Sequence, residues 1–136
     1  MPALAYLDAS AVVKLVVEER ESGALRQALR VWPARVSSAL AIVEVHRAVR
    51  RRRPAPPRDR VATVLSGLTL VPVERELLTA AAVLEDPALP TLDALHIATA
   101  ASLEADLGVL LAYDARLLAA ARSLGLPIDR PSSASA

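Results

Sequence analysis

Short apolar runs alternate along this chain with longer segments in which apolar residues recur at helical spacing. Apolar runs of about four to eight residues are typical of buried strands, whereas helical spacing predicts amphipathic helices. The runs predict strands at residues 3–7, 34–36, 68–73 and 108–113, with a short edge strand at 126–128. The intervening segments predict helices at residues 11–16, 22–30, 39–51, 58–65, 74–84, 93–105 and 114–122. This alternation predicts an α/β fold, with helices on both faces of a central parallel sheet of four or five strands.

Residues that commonly begin or end helices mark the bounds of these elements. Ser10 is expected to cap the first helix, and Ser37 or Ser38 the third, because serine accepts hydrogen bonds from first-turn amides. The prolines within residues 54–57 end the third helix. We interpret this proline-rich segment as a turn and not as a domain boundary.

Length and composition predict one domain with a substantial core. The chain has 136 residues, 54% of them hydrophobic, and no cysteine, which fits a single domain in a reducing cytosol. No secretory signal is expected, and no apolar run reaches the roughly 20 residues that span a bilayer. We therefore expect a cytoplasmic protein without a membrane segment, with a domain at 1–130. The small and polar segment 131–136 is expected to be a flexible tail.

The basic residues are unevenly distributed, although the net charge is only +1. Seven arginines fall within one stretch that contains a single acid: Arg47, Arg50, Arg51, Arg52, Arg53, Arg58 and Arg60. Such a patch can bind RNA phosphates, and we regard Arg47, Arg50 and Arg51 as candidate contacts. It can equally be a solvated helix end, where cations suit the negative pole of the helix dipole.

Four carboxylates lie where apolar runs meet helical segments. Asp8 and Asp114 follow predicted strands, and Glu44 and Asp93 lie in helical segments with apolar neighbours. A charge in such surroundings is costly unless a cation compensates it, and Mg²⁺ prefers oxygen ligands. Because ligands bind beyond the carboxyl ends of parallel strands, the pattern predicts a shared metal site. The alternative is that the three aspartates are helix caps or first-turn residues.

Four segments that contain these acids resemble the motif blocks of PIN-domain ribonucleases. They are Tyr6–Leu15, Val36–Val45, Leu92–Ala100 and Ala112–Leu117. The resemblance is closest to the VapC toxins of type II toxin–antitoxin systems. It covers roughly residues 4–130, with the blocks in order and at family-like spacing. The ordered set is specific, whereas each block alone is not.

The resemblance implies a PIN-like α/β/α sandwich and an endoribonuclease that depends on Mg²⁺ or Mn²⁺. It implies that Asp8, Glu44, Asp93 and Asp114 bind the metal, with Ser10 as the hydroxyl beside the first aspartate. In the absence of metal, the cluster should raise the pKa of some of these acids, and metal should stabilise the fold. The expected partners are an RNA substrate and a VapB-type antitoxin, with homodimerisation common in the family. Apolar helix faces near residues 11–17 and 39–49 are candidate docking surfaces.

Some residues depart from this pattern or allow other interpretations. Relatives often carry a hydroxyl at the position of Ala112, which weakens the assignment of Asp114 as a ligand. This keeps open a degenerate PIN module that binds RNA or a protein without cleavage. A phosphoacceptor domain is disfavoured because no lysine follows a late strand. His96 is interpreted as structural because Mg²⁺ sites seldom use imidazole, and Lys14 is expected to pack its alkyl chain while its amine reaches solvent.

Overall fold

The computed structural model describes residues 3–132. The strands are β1 (Leu4–Leu7), β2 (Ala34–Ser38), β3 (Thr69–Val71), β4 (Leu107–Leu111) and β5 (Ile128–Asp129). The helices are α1 (Ala9–Val16), α2 (Ser22–Leu29), α3 (Leu40–Arg50), α4 (Arg58–Ser66), α5 (Arg75–Ala82), α6 (Thr91–Ala101) and α7 (Ala115–Ser123). In this part of the chain, no helix has the length and apolar character needed to cross a bilayer.

The five strands form one parallel sheet in the order β3-β2-β1-β4-β5. The predicted parallel α/β fold is therefore confirmed. From β1 the chain first builds outward through β2 and β3, and it then returns to add β4 and β5 on the other side of β1. The strand order reverses between β1 and β4, and that point on the carboxyl edge is where ligands bind in open parallel sheets.

Side-chain alternation along the strands divides the core into two halves. Ala5 and Leu7 of β1 pack with residues of α1, α2, α3 and α4 on one face. Tyr6, between them, packs on the opposite face with residues of α6 and α7 and with Ala81 of α5. Because neighbouring strand residues point to opposite faces, one short strand contributes to both cores. The result is the predicted three-layer α/β/α sandwich.

The structure corrects several predicted element bounds. Helix α1 begins at Ala9 with Asp8 as its cap, so the prediction that Ser10 caps this helix is wrong. The reason is that Asp8 Oδ1 accepts the amide of Ala11 at 3.0 Å, the geometry of an N-cap with the third helical residue. Helix α6 begins two residues earlier than predicted and ends at Ala101.

Pro131, the first residue of the predicted tail, packs against the domain. Pro131 is buried, and its carbonyl accepts a hydrogen bond of 2.6 Å from the Tyr113 hydroxyl. The ordered chain therefore extends past β5 to at least this proline. Residues 133–136, which make up the rest of the predicted tail, lie outside the described residues.

Candidate active site

Three of the four candidate carboxylates line one cavity at the carboxyl edge of the sheet, which we call the acidic cavity. Its lining consists of Glu44, Pro90, Thr91, Leu92, Asp93, Asp114, Ala115 and Arg116. Helix α3 supplies the glutamate, the first turn of α6 supplies Asp93, and Asp114 precedes α7. Residues from three separate elements thus meet beside the point where the strand order reverses.

A second cavity, which we call the basic cavity, shares part of this lining. It is bounded by Ala9, Ser10, Val13, Val43, Glu44, Arg47, Ala48, Arg50, Arg51 and Leu92. Glu44 and Leu92 belong to both cavities. The carboxylates and the arginines therefore lie side by side on one continuous surface, a relation that sequence distance does not reveal.

Asp8 lines neither cavity, although the next two residues, Ala9 and Ser10, line the basic cavity. Its side chain is only 4% exposed, and Oδ1 accepts hydrogen bonds from the Ser10 hydroxyl at 2.7 Å and from the Ala11 amide at 3.0 Å. Burial raises the pKa of this carboxyl to about 6, although the two donors and nearby His96 act to lower it. Asp8 is thus both a helix cap and a buried acid that a cation would stabilise.

Ser10 links Asp8 to the exit of β4. Its hydroxyl donates to Asp8 Oδ1 and accepts a hydrogen bond of 2.9 Å from the amide of Tyr113. Ala112, which precedes that tyrosine, is fully buried and offers no hydroxyl. Ser10 therefore places a hydroxyl at the end of β4, although it comes from a helix more than a hundred residues away in sequence.

The charge of Asp114 acts on the carboxyl of Asp93. Burial raises the pKa of Asp93, and the negative charge of Asp114 raises it further. Asp114 is exposed, and its Oδ1 accepts the amides of Arg116 at 2.9 Å and Leu117 at 3.1 Å. The alternative that these acids are caps or first-turn residues therefore holds for all three aspartates. Asp8 and Asp114 are caps, and Asp93 lies in the first turn of α6, where its side chain makes no capping hydrogen bond.

Glu44 is held by His96, which sequence reasoning treated as structural. The distance from His96 Nε2 to Glu44 Oε1 is 2.7 Å, and the histidine side chain is 2% exposed.

Arg116 is a second residue that sequence reasoning missed. It lines the acidic cavity, and its charge lowers the pKa of Asp93, which offsets part of the raising effects. Arg116 stands two residues after Asp114, and this nearness to a strand-end aspartate could have identified it from the sequence.

The donor chemistry of the site fits a hard divalent cation. Every candidate ligand is a carboxylate, and two of them have raised pKa values in the absence of a compensating cation. Within residues 3–132, no three His, Asp or Glu side chains lie close enough together to surround an ion directly. Mg²⁺ commonly uses only one or two carboxylates, together with water and substrate phosphate, so this wider spacing suits it.

Internal contacts divide six of the seven arginines into two groups, whereas the seventh, Arg58, is exposed and lines neither cavity. Arg52 pairs with Glu19, Arg53 donates to the carbonyls of Arg50 and Arg52, and Arg60 donates to the carbonyl of Val16. Arg47, Arg50 and Arg51 are exposed, and their guanidinium groups make no hydrogen bond or ion pair with residues 3–132. The second group is the one that lines the basic cavity, so only these three are available there.

The amine of Lys14, the only lysine of the chain, does not lie where the sequence analysis predicted. Lys14 Nζ lies 3.1 Å from Glu19 and 2.9 Å from Glu21, and it lies 4.6 Å from the centre of the Tyr113 ring. The side chain is 13% exposed. The prediction that this amine reaches solvent is therefore wrong, because the turn after α1 brings two glutamates back over it.

Comparisons with known proteins identify relatives along almost the whole chain. The PIN domain family model matches residues 5–128. Ribonuclease VapC46 of Mycobacterium tuberculosis is 46% identical over 127 residues, which cover 93% of this chain and 97% of that protein. Ribonuclease VapC35 of the same organism is 40% identical over 133 residues, which cover 95% of this chain and 98% of that protein.

Two solved structures share the fold at low sequence identity. The crystal structure of M. tuberculosis VapC20, described as a sarcin-ricin loop cleaving toxin, has a TM-score of 0.66 at 17% identity. That match covers 85% of this chain and 94% of VapC20. PAE2754 from Pyrobaculum aerophilum has a TM-score of 0.58 at 22% identity, over 91% of this chain and 95% of that one.

Proposed function

Because this chain belongs to the PIN-domain family and to its VapC-like members, we propose that it is an endoribonuclease dependent on Mg²⁺ or Mn²⁺. Two close relatives carry the name ribonuclease and align along nearly their full length. We further propose that it is the toxin of a toxin–antitoxin pair. The family membership supports the reaction class, and the metal dependence is supported by the chemistry of the acidic cavity.

One observation carries this proposal. The acidic cavity, with Glu44, Asp93 and Asp114, shares a wall with the basic cavity, with its three exposed arginines. A phosphodiester backbone is attracted by the arginines and repelled by the carboxylates. A divalent cation between the carboxylates and the phosphate removes that repulsion, so the two cavities together suit a metal-dependent reaction at a phosphate.

The ion would bind among Asp8, Glu44, Asp93 and Asp114, with one or two of these carboxylates as direct ligands and the others held through its water molecules. Such an ion supplies a water of lowered pKa and neutralises charge on the scissile phosphate and the leaving oxygen. Ser10 keeps Asp8 in place through its 2.7 Å hydrogen bond to Oδ1. Oδ2 of Asp8 receives no hydrogen bond from residues 3–132 and is the oxygen left for a ligand.

Asp93 is the best-placed acceptor for a proton of the attacking water. It lines the acidic cavity, and its carboxylate makes no capping hydrogen bond that would occupy it. Asp8 is less accessible at 4% exposure, so it is better suited to holding a ligand than to exchanging protons.

Cleavage of total RNA by the purified protein tests the proposed function. We expect discrete fragments in Mg²⁺ or Mn²⁺, none after chelation, and recovery when the metal is restored. The reason is that, without a cation, the carboxylates repel the phosphate on which they must act. Fragments that persist unchanged in chelator would remove the metal dependence, and intact RNA under every condition would remove the nuclease assignment.

The three arginines of the basic cavity are expected to bind RNA phosphates. Replacing Arg47, Arg50 or Arg51 by glutamine should weaken RNA binding and reduce the slope of log affinity against log salt by about 0.7 per contact. Binding is measured in an Asp93→Asn background so that the RNA stays intact. Arg75→Gln, an exposed substitution at the start of α5, is the matched control. Equal salt slopes for control and cavity variants would contradict the assignment.

The degenerate PIN module is the alternative function. The buried Ala112 favours it, because this residue offers no hydroxyl beside Asp114. It predicts tight RNA binding, or protein binding, without fragments in any metal. The total-RNA experiment separates the two, because binding that depends on the arginines without cleavage would replace the first proposal by this one.

A VapB-type antitoxin, a homodimer and a cytoplasmic location stay predictions. Of the two predicted docking surfaces, residues 11–17 are mostly buried in the core, so α1 does not offer an apolar face there. Helix α3 exposes Ile42 at 45% and Val43 at 58%, beside the basic cavity. An antitoxin that covered these residues would also block access to Glu44.

A further inference from the structure

His96 connects Tyr6 to Glu44 inside the protein. The distance from His96 Nδ1 to the Tyr6 hydroxyl is 2.7 Å, equal to that from Nε2 to Glu44 Oε1. Tyr6 is fully buried, and the two rings meet edge to face with their centres 5.9 Å apart. Both ring nitrogens of a buried imidazole are therefore used, which fixes the plane of the ring as well as its place.

The direction of donation along these contacts follows from the chemistry of the groups. An ionised carboxylate only accepts hydrogen bonds, so the proton of the His96–Glu44 contact lies on Nε2. In the neutral imidazole, Nδ1 then accepts from the Tyr6 hydroxyl. Burial raises the pKa of that hydroxyl far above its usual range, so it stays protonated and able to donate. Tyr6 thus donates to His96, and His96 donates to Glu44.

We propose that His96 is a positioning residue that holds Oε1 of Glu44 so that Oε2 is presented to the divalent ion. This inference rests on the proposed function. No donor among residues 3–132 reaches Oε2, so one oxygen of the carboxylate is occupied and the other is available. Within residues 3–132, His96 is the only hydrogen-bond or ion-pair partner of the Glu44 carboxylate.

A glutamate side chain loses much rotational freedom when it binds an ion. A hydrogen bond from a rigid, buried donor removes that freedom in advance, which is the role of outer hydrogen-bond partners around metal ligands. Loss of such a partner typically weakens metal affinity or activity by about 10–100-fold. A histidine that merely filled the core and satisfied Tyr6 would have no such effect.

Two substitutions of His96 separate positioning from packing. In His96→Gln the amide nitrogen can take the place of Nε2 and still donate to Glu44. In His96→Asn the shorter amide reaches the place of Nδ1 and keeps only the contact with Tyr6. Both are polar and smaller than histidine, but asparagine leaves the larger void, so the melting temperature of each variant reports the packing effect separately.

The readout is Mn²⁺ affinity without RNA, measured from the electron paramagnetic resonance signal of free Mn²⁺, followed by RNA cleavage. We expect His96→Gln to retain most of the wild-type affinity and His96→Asn to bind Mn²⁺ about 10–100-fold more weakly, with a parallel loss of cleavage. Wild-type affinity in both folded variants, or equal losses in both, would overturn the inference. If the wild-type protein neither binds Mn²⁺ nor cleaves RNA, the proposed function itself fails.

The wild-type protein offers a measurement that does not depend on whether the variants fold. Long-range proton–nitrogen NMR correlations of the His96 ring identify which nitrogen carries the proton. We expect a proton on Nε2 in the metal-free protein. A proton on Nδ1 alone would mean that His96 does not donate to Glu44, and it would overturn the inference.

Discussion

Replacing Asp93 by asparagine is expected to lower the rate of RNA cleavage by about 10²–10⁴-fold, because a metal site supplies several kcal/mol of transition-state stabilisation. The substitution keeps the shape of the side chain and removes the charge and the proton acceptor. Asp93 makes no capping hydrogen bond, so the fold does not depend on its carboxylate. Initial rates in saturating Mn²⁺ measure the effect, with the melting temperature as the check on folding.

Asp59→Asn is the matched control for this loss. Asp59 is an exposed first-turn acid of α4, as Asp93 is a first-turn acid of α6, but it lies outside both cavities. We expect wild-type rates from this control. Equal rates from Asp93→Asn and the control would mean that the acidic cavity is not where the reaction occurs.

Replacing Asp8 by asparagine is expected to stabilise the metal-free protein while it removes cleavage. Burial raises the pKa of Asp8 to about 6 from an ordinary value of 3.8, so ionisation destabilises the folded state. A shift of this size corresponds to about 3 kcal/mol in the free energy of unfolding above pH 6. Asparagine is also a good N-cap, so the hydrogen bond from the Ala11 amide can be kept.

The raised pKa of Asp8 makes the free energy of unfolding depend on pH in a distinct way. Because the folded pKa is raised, the contribution of Asp8 to stability is fully present below pH 4 and is lost as the pH rises through about 6. Asp8→Asn should remove that loss, and Mn²⁺ should restore stability to the wild type only. Denaturant unfolding at pH 4 and pH 8 measures both effects. Asp59→Asn, at an exposed acid outside both cavities, is the control. An Asp8 variant no more stable than wild type at pH 8 would contradict the assignment.

Local patterns in the sequence were sufficient to predict the sheet and its layers. Alternation in β1 sends Tyr6 to one face and Ala5 and Leu7 to the other, and such alternation is a property of neighbouring residues. The acids were found for the same reason, since each stands next to a recognisable strand or helix. Element ends were harder, because Asp8 and Ser10 are both good caps and only the hydrogen bond to Ala11 decides between them.

Contacts between residues distant in sequence could not be predicted from local patterns. His96 and Glu44 are 52 residues apart, and nothing near either one in sequence indicates that they share a hydrogen bond. The pairing of Lys14 with Glu19 and Glu21 depends on the path of a turn, which the polarity of the residues does not fix. The division of the arginines into paired and available groups likewise required their partners to be placed in three dimensions.

The central claim is that the acidic cavity is a metal-dependent site for RNA cleavage. Its most direct test is an Mn²⁺ titration of the cleavage of one RNA by the wild-type protein and by Asp93→Asn, at equal protein concentration. A saturable rise in rate for the wild type, with almost no rise for the variant, is the predicted result. Rates that are independent of Mn²⁺, or that rise equally in both proteins, would contradict the claim.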